Sequence, residues 1–379
     1  CSHWPDRYLS PVHHLYVHVP FCQRRCSYCD FSIAVRKRVP AQPYVETIRQ
    51  EVEQTALVGP LETIYFGGGT PSLLPAAAIA SLLDTISSRA PLHDAVEITL
   101  EANPEDVTDA AASGWRSAGV NRISLGVQSF DDRVLQWMHR VHDAPRARAA
   151  VRTLRAAGFD NLSLDLMFAL PPLLQRDWER DLDAAIALEP EHLSLYGLTV
   201  EPRTPLQRWI ARGAASVPSD ERYAEEYLAA HSRLGSAGFV FYEVSNAARE
   251  SRRSRHNSAY WVGRPYAGVG PAAHSFDGRA RRWNLAAWEA YRRAVTEGRS
   301  PVESEELLTD AQHALERLYL GLRTNAGVPV SDVVWSASLP AVIRQGWLVE
   351  QSGRLKCSVE GWLRLDALVA ALTGPSTTS

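Results

Sequence analysis

One alternation constrains the fold of this chain more than any other feature. Short segments rich in β-branched and aromatic residues occur at 14–20 (HLYVHVP), 62–66 (ETIYF), 95–100 (AVEITL), 121–127 (NRISLGV), 161–168 (NLSLDLMF) and 192–198 (HLSLYGL). Helical patterns separate them at 43–56, 75–89, 105–118, 144–157 and 175–188. Strands spaced by helices imply parallel βα units and an α/β class, because parallel neighbours need a crossover between them. Right-handed crossovers allow a partial or full barrel or a doubly wound open sheet, and periodicity alone does not choose. Asn103-Pro104-Glu105 and Gly119 supply start and stop signals for one of the helices. In the fifth strand Ser163, Asp165 and Met167 share one face, opposite Leu162, Leu164, Leu166 and Phe168. A carboxylate there must meet a cavity or a partner, since burying it bare is costly.

The rhythm changes after about residue 200. Residues 219–237 read as helix and FVFYEVS (239–245) as strand, and 246–283 are rich in Arg, Gly, Tyr and Trp. Helices at 309–323 and 329–345, a hairpin over 346–362 turning at Ser352-Gly353, and a last helix to about 372 resemble a winged helix. The expected organisation is a main domain over 1–245, a linker region over 246–300, a smaller C-terminal α+β domain over 301–373 and a disordered tail over 374–379.

The loop after the first strand reads FCQRRCSYCDF and places Cys22, Cys26 and Cys29 in a C-x3-C-x2-C spacing. The chain has 5 cysteines, and the other two, Cys1 and Cys357, stand alone. An odd number clustered in one loop opposes a disulfide framework and favours a metal in a reducing compartment. Two fillings compete. Zinc would need a fourth ligand, for which His13, His14 and His18 are candidates, whereas an iron–sulfur cluster uses three cysteines and leaves one iron open. The net charge of −3 opposes a nucleic-acid partner, and one Lys with few Arg on the presumed wing opposes it again. No apolar run approaches the roughly 20 residues of a membrane span, and no signal-peptide pattern precedes the first strand. A first residue of Cys rather than Met points to an incomplete or processed N-terminus.

Taken together, YVHVPFCQRRCSYCDF, FGGGTP, LEANPE, ISLGVQSF and LSLDLMFALP resemble the radical S-adenosylmethionine (SAM) superfamily, in the branch containing oxygen-independent coproporphyrinogen III oxidase and the heme chaperone HemW. The resemblance runs from about residue 14 to 285 and more loosely beyond. It implies a partial (β/α)6 barrel with a smaller winged-helix-like domain. It also implies a [4Fe–4S] cluster held by Cys22, Cys26 and Cys29, whose open iron SAM chelates. Tyr16, Tyr28, Gly68, Gly69, Thr70, Glu101, Gln128, Arg140, Asp165 and Gly197 would line the SAM site, with Tyr16 over the cluster.

Phe31, in CDF, stands where the oxidase pattern has a further cysteine. RHNSAYW (255–261) matches the chaperone's HNxxYW motif, and GVGPAAHSF (268–276) is chaperone-like as well. The chaperone branch implies heme, with His256, Asn257, Tyr260 and Trp261 as its site and His274 as a second candidate ligand. Arg249, Arg252, Arg253, Arg255 and Arg264 are candidates for the propionates. It implies apo-hemoprotein recipients such as respiratory enzymes, an electron donor for the cluster, a homodimer, and a cytoplasmic location with peripheral contact at the inner membrane face. The oxidase reading, radical decarboxylation of coproporphyrinogen III propionates, is the alternative. Two family glycines are missing: Ala169 opens ALPPLLQ where the pattern has GLPGQT, and Arg203 stands in EPRT where it has ExGT. Both losses are expected to stiffen loops at the mouth.

Overall fold

The computed structural model describes residues 12–333, 336 and 338–373; Cys1 and the tail 374–379 lie outside them. Nine strands form the main sheet: β1 (His14–Val19), β2 (Leu61–Gly68), β3 (Leu92–Ala102), β4 (Arg122–Gln128), β5 (Leu162–Phe168), β6 (His192–Gly197), β7 (Val240–Glu243), β8 (Asn246–Ala248) and β9 (Ala267–Val269). Their spatial order is β9-β1-β2-β3-β4-β5-β6-β8-β7. The pairs from β1 through β6 are all parallel and follow chain order. That order settles the choice left open by the sequence. A doubly wound sheet reverses direction at a switch point, and these six strands never do.

Several helices between the strands start where a side chain takes up a free backbone N–H group, while Ala41–Gln54 and Ala76–Arg89 start after a proline with no such cap. Thr108, Asp143 and Asp177 each accept from a backbone N–H in the first turn of Asp109–Ser117, Ala144–Ala156 and Trp178–Ile186. The helix expected over 105–118 begins later, after a 3₁₀ turn at Pro104–Asp106. The core lies between sheet and helices. Val17, Ile64, Leu100, Leu125, Leu164 and Leu193 are buried there with the inner faces of the helices. The alternate positions on the other face are polar or aromatic, from Tyr16 and Tyr65 to Ser124, Asp165 and His192.

The stretch 246–300, expected as a linker, contributes strands β8 and β9 to the main sheet, with β9 parallel to β1. Its remainder builds an antiparallel three-stranded sheet with Val302–Leu307. The C-terminal part has a separate apolar cluster around Leu322, Leu339, Leu355 and Leu368. Its hairpin turns at Ser352 and Gly353, both at positive φ, as a two-residue primed turn requires. The helix expected over 329–345 is confined, among the described residues, to Leu339–Arg344 after a 3₁₀ turn at Val330–Asp332. No helix of the described residues is long and apolar enough to cross a membrane.

Candidate functional site

A cavity of about 380 Å³ opens at the C-terminal ends of the parallel strands, the end where βα barrels carry their chemistry. Cys22, Cys26, Cys29 and Tyr28 line it from the loop after β1, Gly68, Gly69 and Thr70 from β2, and Glu101 from β3. Gln128 from β4, Arg140, Asp165 from β5 and Gly197 from β6 complete the wall. One cavity bounded by six successive strands and their loops shows that the sheet curls around it.

The cysteine loop is tied down at several points. The Ser27 N–H donates to the Met138 carbonyl at 3.1 Å, Leu206 N–H to the Ser27 carbonyl at 2.9 Å and Arg36 N–H to the Cys22 carbonyl at 2.9 Å. The Thr70 hydroxyl donates to Cys22 Sγ at 3.4 Å and Arg140 Nη1 to Cys26 Sγ at 3.5 Å. Burial pushes the Cys22 thiol up to about 11, so a thiolate forms there against a cation. Among the described residues no group of three His, Cys, Asp or Glu is placed to hold a single metal ion. A cluster makes a different demand, because its cysteines bind different irons. The proposed fourth zinc ligands are engaged elsewhere: His13 with the Pro60 carbonyl, His14 with Thr63 and His18 with Tyr16.

The glycine motif is a cradle with no room for a side chain. A Cβ on Gly69 would stand 2.7 Å from the Phe21 carbonyl oxygen, and one on Gly68, at φ +114, 2.6 Å from the His18 ring. The Gly68 N–H donates to Glu101 at 3.0 Å and the Tyr65 hydroxyl to its other oxygen at 2.8 Å. Burial, with Asp165 adding to it, nevertheless pushes Glu101 up to about 7. Asp165 accepts from the Ser124 hydroxyl at 3.1 Å, and burial raises it too. Arg140 donates to Asn103 Oδ1 at 2.6 Å and to the Gly126 carbonyl at 2.8 Å. Three free thiols, a backbone cradle and two carboxylates in one cavity are a donor set that fits a cluster and a cationic amino-acid sulfonium.

Tyr16 lies beside this cavity rather than in its lining, where it meets His18 at 3.1 Å and stacks on Tyr65 with centroids 6.1 Å apart. Asn103, Ser124 and Tyr65 were missed by sequence reasoning. Asn103 lies two residues after Glu101 in the quoted LEANPE, and that placement at a strand end was the available signal. Where the family glycines are missing, Ala169 and Arg203 keep positive φ, at 54° and 65°. The left-handed turns survive with side chains attached.

The HNxxYW segment lies at the opposite end of the barrel. Its helix, Arg255–Trp261, starts on Glu97, which accepts from the backbone N–H of Arg255 at 3.0 Å and of His256 at 3.2 Å. His256 is 1% exposed. Its Nδ1 meets the Thr63 hydroxyl at 2.7 Å and its Nε2 the Tyr260 hydroxyl at 2.6 Å. Its ring stacks on Tyr65 at 5.0 Å. The arrangement closes the site expected to be open: both ring nitrogens are engaged and burial holds the imidazole neutral. Asn257 donates its N–H to the capping Ser254, and Trp261 lies under Arg323. His274 is exposed and stacks on Trp283. The five arginines do not form one group. Arg252 pairs with Asp160, Arg255 and Arg264 with Glu62, Arg249 covers Phe239 and Arg253 covers Tyr242.

Residues 16–185 match the model of the radical SAM superfamily. The heme chaperone HemW of Mycobacterium tuberculosis is 37% identical over 369 residues, covering 95% of this chain and 94% of its own. HemW of Bacillus subtilis is 36% identical over 317 residues, covering 83% and 84%. The mitochondrial radical S-adenosyl methionine domain-containing protein 1 of Danio rerio is 34% identical, covering 94% and 86%. Coproporphyrinogen III oxidase (HemN) of Escherichia coli, a radical SAM enzyme, superposes with a TM-score of 0.81 at 22% identity, over 98% of this chain and 92% of its own, a likeness of fold. Sequence identity above a third along nearly the whole of both chains places this protein in the HemW family of the radical SAM superfamily, whose cofactors are a [4Fe–4S] cluster and SAM.

Proposed function

We propose that this protein is a heme chaperone that carries a [4Fe–4S] cluster and SAM and delivers heme to apo-hemoproteins. One observation carries the reading: identity to proteins named heme chaperone HemW runs through the barrel, the HNxxYW segment and the C-terminal part. Cys22, Cys26 and Cys29 would hold the cluster. Gly68, Gly69 and Thr70 would face the amino-acid part of SAM, and Glu101 and Asp165 would answer its positive charges. Bound SAM supplies radical chemistry on reductive cleavage. The chain's own residues would bind and orient it, with Glu101, Ser124 and Asp165 on the wall that faces it.

His256 is the proposed heme ligand. In the closed arrangement its Nδ1 faces Thr63, the outer hydrogen bond that fixes the tautomer of an iron-bound imidazole. Nε2 becomes available once the Tyr260 hydroxyl moves off it. His274, already exposed, serves as the comparison. Heme titration of wild type, His256→Ala and His274→Ala followed by absorption spectra tests this. Loss of the ligand-field spectrum in His256→Ala alone is expected, and an unchanged spectrum overturns His256. Incubation with coproporphyrinogen III, SAM and a reductant is expected to give no protoporphyrinogen; efficient conversion overturns the chaperone reading in favour of the oxidase.

A further inference from the structure

Arg122 opens β4 and is 1% exposed, among the largest fully buried side chains of the molecule. A guanidinium is rarely buried without a carboxylate beside it. Among the described residues Arg122 has no ion pair within 4 Å, and its Nε and Nη1 lack any hydrogen-bond partner. Its cross-strand partner is Thr99, whose buried hydroxyl is likewise unpartnered. Unmet buried donors are costly, so hydrogen bonding does not account for this residue. Charge does.

Arg122 and Ser124 share one face of β4, Thr99 and Glu101 one face of β3, and Glu101 stands opposite Ser124 in register. Glu101 is therefore about 6.6 Å of strand rise from the level of Arg122. Ser124 in turn donates to Asp165. The interior thus holds a buried cation below two carboxylates that line the cavity. We infer that Arg122 is a positioning residue for SAM: an internal counter-charge that keeps Glu101 and Asp165 ionised for a cationic ligand it does not touch.

The other titratable groups facing Glu101 cannot do this. Tyr65, which donates to it, Tyr16, Tyr196 and Tyr260 are phenols held neutral, and Asp165 repels it. Arg122 is the cation that acts on Glu101 and Asp165 alike. The inference rests on reading Glu101 and Asp165 as SAM-facing groups, and the experiment separates the two.

Cluster-loaded protein is titrated calorimetrically with SAM between about pH 6 and 8.5, with iron content checked for each variant. Wild-type affinity is expected to weaken as pH falls through about 7, where Glu101 takes up its proton. In Arg122→Gln that midpoint is expected to rise by at least about one pH unit, an affinity loss of at least about fivefold at pH 7, where the wild-type group is already half protonated. Arg122→Met, which also removes the unpartnered donors, is expected to do the same and serves if the Gln variant fails to fold. In a Glu101→Gln background the effect of Arg122→Gln is expected to shrink. A charge-removing variant with full iron content and the wild-type midpoint overturns the inference. A wild type that binds no SAM at any pH overturns instead the assignment of Glu101 and Asp165.

Discussion

The two ends of this barrel carry the cysteine motif and the histidine motif, and they are built in opposite ways. At the C-terminal ends of the strands the thiols, glycines and carboxylates converge on an open cavity. At the N-terminal ends, about 13 Å away along β3 from Glu101 to Glu97, the histidine motif is closed. His256 is hydrogen-bonded on both nitrogens and its helix is seated on Glu97. A preformed cavity binds a ligand without rearrangement, whereas a closed motif must spend interaction energy on opening before it binds.

The predictions that test this contrast run from large to small. Replacing any of Cys22, Cys26 and Cys29 with Ser is expected to take iron from about four per chain to near none after anaerobic loading, while heme titration is unchanged. If heme binding disappears as well, the two ends are one site and the contrast fails. His256→Ala is expected to cost heme affinity more than tenfold and leave iron content intact, measured on the same preparations.

Acid should act on the two ends with opposite sign. Burial holds His14, beside His256 on Thr63, at about 4, below its ordinary 6.5. The unfolded chain binds that proton first, so stability at this end is lost as pH falls from about 6.5 towards 4. Glu101 is raised instead, to about 7 from 4.5, so the folded chain binds the proton first and the cavity end gains stability over the window from 7 down to 4.5. Native-state hydrogen exchange at pH 7 and pH 5 should therefore show Arg255–Trp261 opening more readily in acid while the wall around Glu101 does not. Equal responses would erase the distinction.

Tyr260→Phe removes the hydroxyl that covers Nε2. Heme affinity is expected to rise a few-fold while the protein loses about 1 kcal/mol in denaturant unfolding. An unchanged affinity would mean that opening is limited by something other than this bond. Smallest of all, Ala169→Gly relieves a left-handed alanine and is expected to stabilise by about 0.5 to 1 kcal/mol, with SAM affinity unchanged.

Much of the cavity was legible beforehand because its residues fall at strand ends within short motifs. Cys22, Gly68, Glu101 and Gln128 fall at or just past strand ends, which parallel strands deliver to one end, and Asp165 faces the same interior from within β5. Tyr16 is less legible: its side chain faces the interior, but from the middle of β1 it meets Tyr65 and His256. His256 was expected to be available because a motif gives identity and spacing and says nothing of hydrogen-bond partners 193 residues away, such as Thr63. Arg122 drew no attention, since an arginine at a strand start reads as a solvent-facing residue until its burial is seen.

The sequence by itself determined the alternation of strands and helices, which face of each strand is apolar, and the three-thiol loop after the first strand. These follow from local periodicity and spacing, which depend on residues near one another in the chain. Tertiary structure alone decided the order of the strands, the curl that brings six strand ends around one cavity, the closure of His256 and the burial of Arg122. Those depend on which distant segments pair and pack, and local periodicity does not encode such pairings.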